Sequence, residues 1–105
     1  MTLDEMRRAA EKALKDLGDT KELVALSLQA KGIKGKVRSC QTCPIAQFLE
    51  SLGFEGIRWE VGLDDAYAQG TITGPLFYVS LPKACTAFII TFDRRDDFGY
   101  LEQRS

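Results

Sequence analysis

Cys40-Gln-Thr-Cys43 is the stretch whose residue types and spacing come nearest to a known chemistry. A CxxC pair at the start of a helix sits where the helix dipole and free backbone N–H groups stabilise a thiolate, which suits redox exchange or metal binding. The surroundings argue otherwise. A thioredoxin-like motif follows a buried strand in a βαβ unit, whereas this pair follows a basic loop and two helical segments. Structural zinc takes about four ligands, and the chain has no histidine and no second CxxC. A homodimer sharing one zinc between two Cys40/Cys43 pairs would supply four thiolates. The preferred reading has Cys43 capping the helix, Cys40 half buried as a small hydrophobe and Cys85 in the core, with no metal and no cofactor.

The segment Lys31, Lys34, Lys36 and Arg38 is the second candidate. Between Leu23 and Leu49 there are four bases and no acid, and the segment runs into a helix N-terminus, where backbone amides favour anions. Charge is unevenly divided, with nine bases and six acids in residues 1–49 against five bases and nine acids in 50–105. Gly32, Gly35 and Lys36 suggest a phosphate loop, but the order GxxxxGK[ST] is not met and no strand precedes it, which argues against nucleotide hydrolysis. A flexible, solvated loop is the simpler reading. Binding of phosphate, nucleic acid or an acidic protein patch is the alternative, and a net charge of −1 disfavours nonspecific DNA binding.

Without histidine the chain lacks the commonest general base and the usual activator of Ser and Cys nucleophiles. Asp64/Asp65 and Asp93/Asp96/Asp97 fall in turns or at a helix end, where acids are ordinarily solvated, and no second acid at readable spacing marks a catalytic pair. The expectation is a protein that is not an enzyme. Tyr78 and Tyr100 are the aromatic candidates for an exposed contact surface, because Trp59 and Phe77 fall on the inward phase of their strands.

Several elements must position these residues. Leu3, Met6, Ala10, Leu14 and Leu17 recur at helical spacing, with Thr2 and Glu5 forming a capping box and Gly18 a stop. Asp19 and Glu22 signal a second helix carrying Leu23, Val24, Leu26, Leu28 and Ala30 up to Gly32. Pro44 opens a third of about nine residues, capped by Cys43 or Thr42, with Ile45, Phe48, Leu49 and Leu52 on its apolar stripe. Ile57, Trp59, Val61 and Leu63 alternate with polar residues as a half-buried strand does. After a turn at Asp64-Asp65, a second strand is expected between Tyr67 and Thr73, weakened by Gly70. A third carries Phe77, Val79 and Leu81 after Gly74-Pro75. Pro82 opens a last helix with Cys85, Phe88, Ile89 and Phe92 in one stripe, fading into Asp93–Asp97. Short connections make the strands antiparallel. The expected fold is therefore α+β: three N-terminal helices, a small antiparallel two- or three-stranded meander and a C-terminal helix, with Phe48, Leu52, Trp59, Val61, Val79, Phe88 and Phe92 sharing one core.

A chain of 105 residues with 45% apolar and 28% charged residues fits one domain, and it is too apolar for intrinsic disorder. The longest apolar run, Ala87–Ile90 with its neighbours, is broken by Thr86 and Thr91, far short of the ~20 residues that span a bilayer. No secretion signal is recognisable, and three cysteines do not make a disulfide framework. These features lead us to expect a cytoplasmic protein with no membrane association.

Residues 20–100 resemble small uncharacterised proteins of actinobacteria and their phages, through Gly32-Ile-Lys-Gly-Lys-Val-Arg38, Cys43-Pro44-Ile45-Ala46-Gln-Phe-Leu49, a short hairpin region and a helix running from Leu81-Pro82 to Phe92-Asp93. The resemblance implies a setting and no activity: an accessory protein of a phage or mobile element, acting in a bacterial host cytoplasm. It also implies that Cys43-Pro44 is a helix start. The resulting expectation is a non-enzymatic protein-binding module that contacts a host or self protein. Anion or nucleic-acid binding through residues 31–38 and a thiol or shared-zinc protein using Cys40 and Cys43 are the alternatives.

Overall fold

The computed structural model describes residues 2–54, 56–61, 67–71 and 76–103, without the side chains of Tyr67, Thr71, Leu76 and Phe77. Its elements run α1 (Leu3–Lys15), α2 (Lys21–Ala30), α3 (Pro44–Ser51), β1 (Arg58–Val61), β2 (Tyr67–Thr71), β3 (Leu76–Ser80) and α4 (Lys83–Asp93), followed by a 3₁₀ turn at Gly99–Leu101. The protein is an α+β fold whose three strands form an antiparallel meander in the order β1-β2-β3. The turns expected at Asp64-Asp65 and Gly74-Pro75, and the end of the second strand at Thr73, lie outside the described residues.

Local chemistry accounts for the helix ends. Thr2 and Glu5 form the reciprocal capping box of α1. At α2 the cap is Thr20, whose hydroxyl accepts from the Leu23 amide at 3.2 Å, and not Asp19. Both residue types can cap, and the left-handed turn at Gly18 (φ +142°) sets the chain so that position 20 faces the free amides. Pro44 is the first residue of α3, and Cys43 Sγ accepts from the Ala46 amide at 3.4 Å.

In the sheet, Trp59, Gly70 and Phe77 lie opposite one another across the ladder, as do Val61, Ala68 and Val79. Trp59, Val61, Ala68 and Val79 are buried on one face, and Glu60, Gln69 and Tyr78 form a row across the other. Gly70 lies opposite Trp59 and brings no side chain to the buried face there. α1 packs on β3, α3 on β1, and α2 on α4 and the 3₁₀ turn. One core results, built from Ala10 and Leu14, from Val24, Ala25 and Leu28, from Ile45, Phe48 and Leu49, and from Cys85, Phe88, Ile89 and Phe92 against the inner sheet face. Leu52 is partly buried against it. Phe98 reaches this core from a left-handed backbone (φ 66°) and stacks on Phe88 with ring centroids 5.2 Å apart.

One amide on each sheet edge is engaged. The Ser80 amide of β3 donates to Glu11 Oε2 of α1 at 3.0 Å, and the Val61 amide of β1 donates to the Cys40 carbonyl at 2.7 Å. An exposed row of strand amides would invite pairing with another chain, and these contacts remove donors from it.

Candidate functional site

The basic segment keeps its four basic side chains exposed, as a solvated loop does, while its backbone is tied to the fold at Gly35, Lys36 and Arg38. The Gly35 amide donates to the Leu101 carbonyl at 2.9 Å, and the Gly35 carbonyl accepts from the Gln103 amide at 2.7 Å, so the segment pairs in parallel with the chain's last described residues. Gly35 is buried, and a Cβ there would run into the backbone at Thr42, Cys43 and Pro44. The Lys36 amide then donates to the Thr42 carbonyl at 2.8 Å. Arg38 adopts a left-handed backbone (φ 53°), from which its amide donates to Asp93 Oδ1 at 2.9 Å and its Nε to the Asp93 carbonyl at 3.2 Å.

Asp93 is accordingly buried, contrary to its expected place in a solvated acidic helix end. The last turn of α4 faces the loop, and the part-buried Arg38 amide finds its acceptor there in the Asp93 carboxylate. Asp96 and Asp97 are exposed, as solvated acids are. Arg95, also left-handed (φ 57°), places both Nε and its terminal nitrogen 3.2 Å from the Glu102 carboxylate. Two of the cations at this end of the molecule are therefore engaged in holding the fold.

Lys31, Lys34 and Lys36 are exposed, and Arg38 is exposed but tied to Asp93. The helix N-terminus beside them is not open to an anion. Pro44 has no amide proton, Ile45 and Ala46 are completely buried, and the Ala46 amide is already donated to Cys43. The basic segment and the helix start do not combine into a phosphate cradle.

The thiols are divided by burial. Cys40 is exposed, whereas Cys43 is 2% exposed. Burial pushes the Cys43 thiol up to about 11 against the opposing pull of the α3 amides, and pushes Cys85 up to about 12. Both are neutral thiols at physiological pH, and neither is a nucleophile there. A zinc shared across two chains would have to reach the sulfur of Cys43, which is buried. Beside these residues, Gln41, Thr42, Glu50, Arg58, Trp59 and Glu60 line an open cleft of about 290 Å³. Neither thiol lines it. Among the described residues, no cluster of three or more His, Cys, Asp or Glu is arranged to hold a metal, and no helix is long and apolar enough to cross a membrane.

Tyr78 stands 55% exposed at one end of the outer sheet row, and Tyr100 is 46% exposed with its ring edge-on to Phe98. They lie on different elements, and no described contact joins them. The apolar surface that the sequence reading missed is on α2. The buried stripe of that helix is Val24, Ala25 and Leu28, while Leu23 (47%) and Leu26 (55%) are exposed together with Ala30. The signal was present in the sequence: Leu23, Leu26 and Ala30 form a second stripe at i, i+3 and i+7, and a helix apolar on two sides needs something on each. No family model, curated protein or solved structure matches this chain, so its fold and surface alone carry the functional reading.

Proposed function

We propose that this protein is a non-enzymatic protein-binding module that presents the outer face of α2 to a host or self protein. The resemblance noted in its sequence supplies the setting: an accessory protein of a phage or mobile element, working in a bacterial cytoplasm. The observation that carries the reading is the pair of exposed leucines, Leu23 and Leu26, at i, i+3 on α2. Each forgoes part of the ~1.5–3 kcal/mol that full burial of such a side chain is worth, and the 3₁₀ turn carrying Tyr100 packs against the same helix. Single exposed apolar residues are ordinary, whereas adjacent ones on a helix face mark contact sites. Anion binding through Lys31, Lys34, Lys36 and Arg38 finds less support, because the neighbouring helix amides are buried or occupied.

Capture of partners from a bacterial lysate by the purified chain and two variants tests the reading. Leu23→Ser with Leu26→Ser should abolish capture while changing stability by less than about 1 kcal/mol, as expected at exposed positions. Lys34→Ala, Lys36→Ala and Arg38→Ala together should leave capture intact and only weakly dependent on salt. Loss of capture in the triple variant, with a steep salt dependence and nucleic acid in the eluate, would reverse the assignment.

A further inference from the structure

We propose that the outer edge of β3 pairs antiparallel with the same edge of a second copy of this chain, about a two-fold axis between the two Tyr78 residues, so that two meanders join into one continuous sheet. The direction of the backbone groups carries the inference. The Ser80 amide donates to Glu11 Oε2 at 3.0 Å and so points away from β2. In an antiparallel ladder the N–H and C=O of one residue turn together to one side of the strand, and those of the next residue to the other. Tyr78 and Leu76 therefore turn theirs outward with Ser80, while Val79 and Phe77 bond to Ala68 and Gly70 of β2. Among the described residues, no group bonds to the outward N–H or C=O of Tyr78, and its side chain is exposed.

The two edges of the sheet differ in what guards them. Natural edge strands carry charge, proline or a bulge, which discourage another chain from adding on. β1 has Arg58 and Glu60, and the Cys40 carbonyl occupies its outward Val61 amide. β3 reads Leu-Phe-Tyr-Val-Ser, without charge or proline, and its register with β2 is continuous, so no bulge breaks it. A two-fold interface uses one patch twice, and this strand complements itself when turned end for end. With Tyr78 opposite the partner's Tyr78, Phe77 falls opposite the partner's Val79 and Leu76 opposite the partner's Ser80. An aromatic pair lies at the centre, an apolar pair flanks it on each side, and no like charges meet. The two Tyr78 residues exchange both backbone hydrogen bonds. The Leu76 amide adds one to the partner's Ser80 carbonyl, and the Ser80 amide keeps Glu11.

A five-residue strand is about 17 Å long. Edge pairing of that length stays below the ~1,200 Å² of a permanent interface, so the dimer is weak and concentration-dependent. Sedimentation equilibrium over a series reaching millimolar protein should show monomer and dimer in exchange, with little effect of salt because no charges pair across the strands. Tyr78→Lys and Tyr78→Glu each set like charges against each other at the axis, and each should weaken self-association at least about tenfold. An equimolar mixture of the two should restore it, since opposite charges then meet. Tyr78→Pro removes an N–H that the β2–β3 ladder does not use, so it should leave a monomer whose fold is intact by circular dichroism. In the wild type, hydrogen exchange at the Tyr78 amide should slow as concentration rises, while exchange at Val79, bonded within the meander, changes little.

A wild type that stays monomeric at every concentration, a mixture of the charged variants that gains nothing, or a Tyr78 amide whose exchange ignores concentration overturns the pairing. Leu23→Ser with Leu26→Ser should dimerise as the wild type does, because α2 is a separate surface. A dimer lost with those leucines and kept by Tyr78→Lys would place self-association on α2 and overturn the assignment to β3.

Discussion

Replacing Gly35 with alanine should cost about 3 kcal/mol of stability and lower Tm by on the order of 15 °C. The added methyl meets backbone atoms of Thr42, Cys43 and Pro44, which cannot rotate away as a side-chain end can. Those atoms also hold the cap of α3 and the Lys36–Thr42 hydrogen bond, so any yielding is paid for at the helix start. Gly32 supplies the internal comparison. It has a left-handed φ of +69° with nothing within 4 Å of an added Cβ, so Gly32→Ala should cost only about 1–2 kcal/mol of backbone strain. Thermal and denaturant unfolding of the two variants checks the contrast, and equal losses would mean that close approach is not what position 35 requires.

The second large effect is expected at Asp93. Asp93→Ala removes the acceptor for the Arg38 amide and leaves that donor part-buried, at a cost of about 2 kcal/mol. Asp93→Asn retains an oxygen that can accept, so it should recover part of the loss. Hydrogen exchange at the Arg38 and Lys36 amides should quicken in the alanine variant ahead of exchange in α4, because the segment detaches before the helix melts. If the asparagine variant loses as much as the alanine one, the carboxylate's charge matters and its place as an acceptor does not.

What the sequence disclosed and what it withheld follow from the range of the interactions. The capping box at Thr2 and Glu5, the Cys43-Pro44 helix start and the alternation around Trp59 and Val61 are local, and each has the form the periodicity predicts. Gly35 and Asp93 are decided by neighbours far along the chain: Gly35 pairs with Leu101 and Gln103, and Asp93 with Arg38. No local pattern reports such contacts, so a loop of lysines and glycines reads as solvated. α2 is a different case: its helix was legible, but both of its stripes have helical spacing, and packing against α4 selects Val24, Ala25 and Leu28 for the core. The stripe left over became the candidate site.

Site-resolved photo-crosslinking tests that assignment most directly. A photoreactive amino acid is placed in turn at Leu26 on α2, Lys36 in the basic segment and Tyr78 on the outer sheet face, and the chain is irradiated in a bacterial cell. The α2 position should give discrete protein adducts, while Lys36 gives none. Adducts from Lys36 alone, to protein or nucleic acid, with Leu26 silent, would contradict the account.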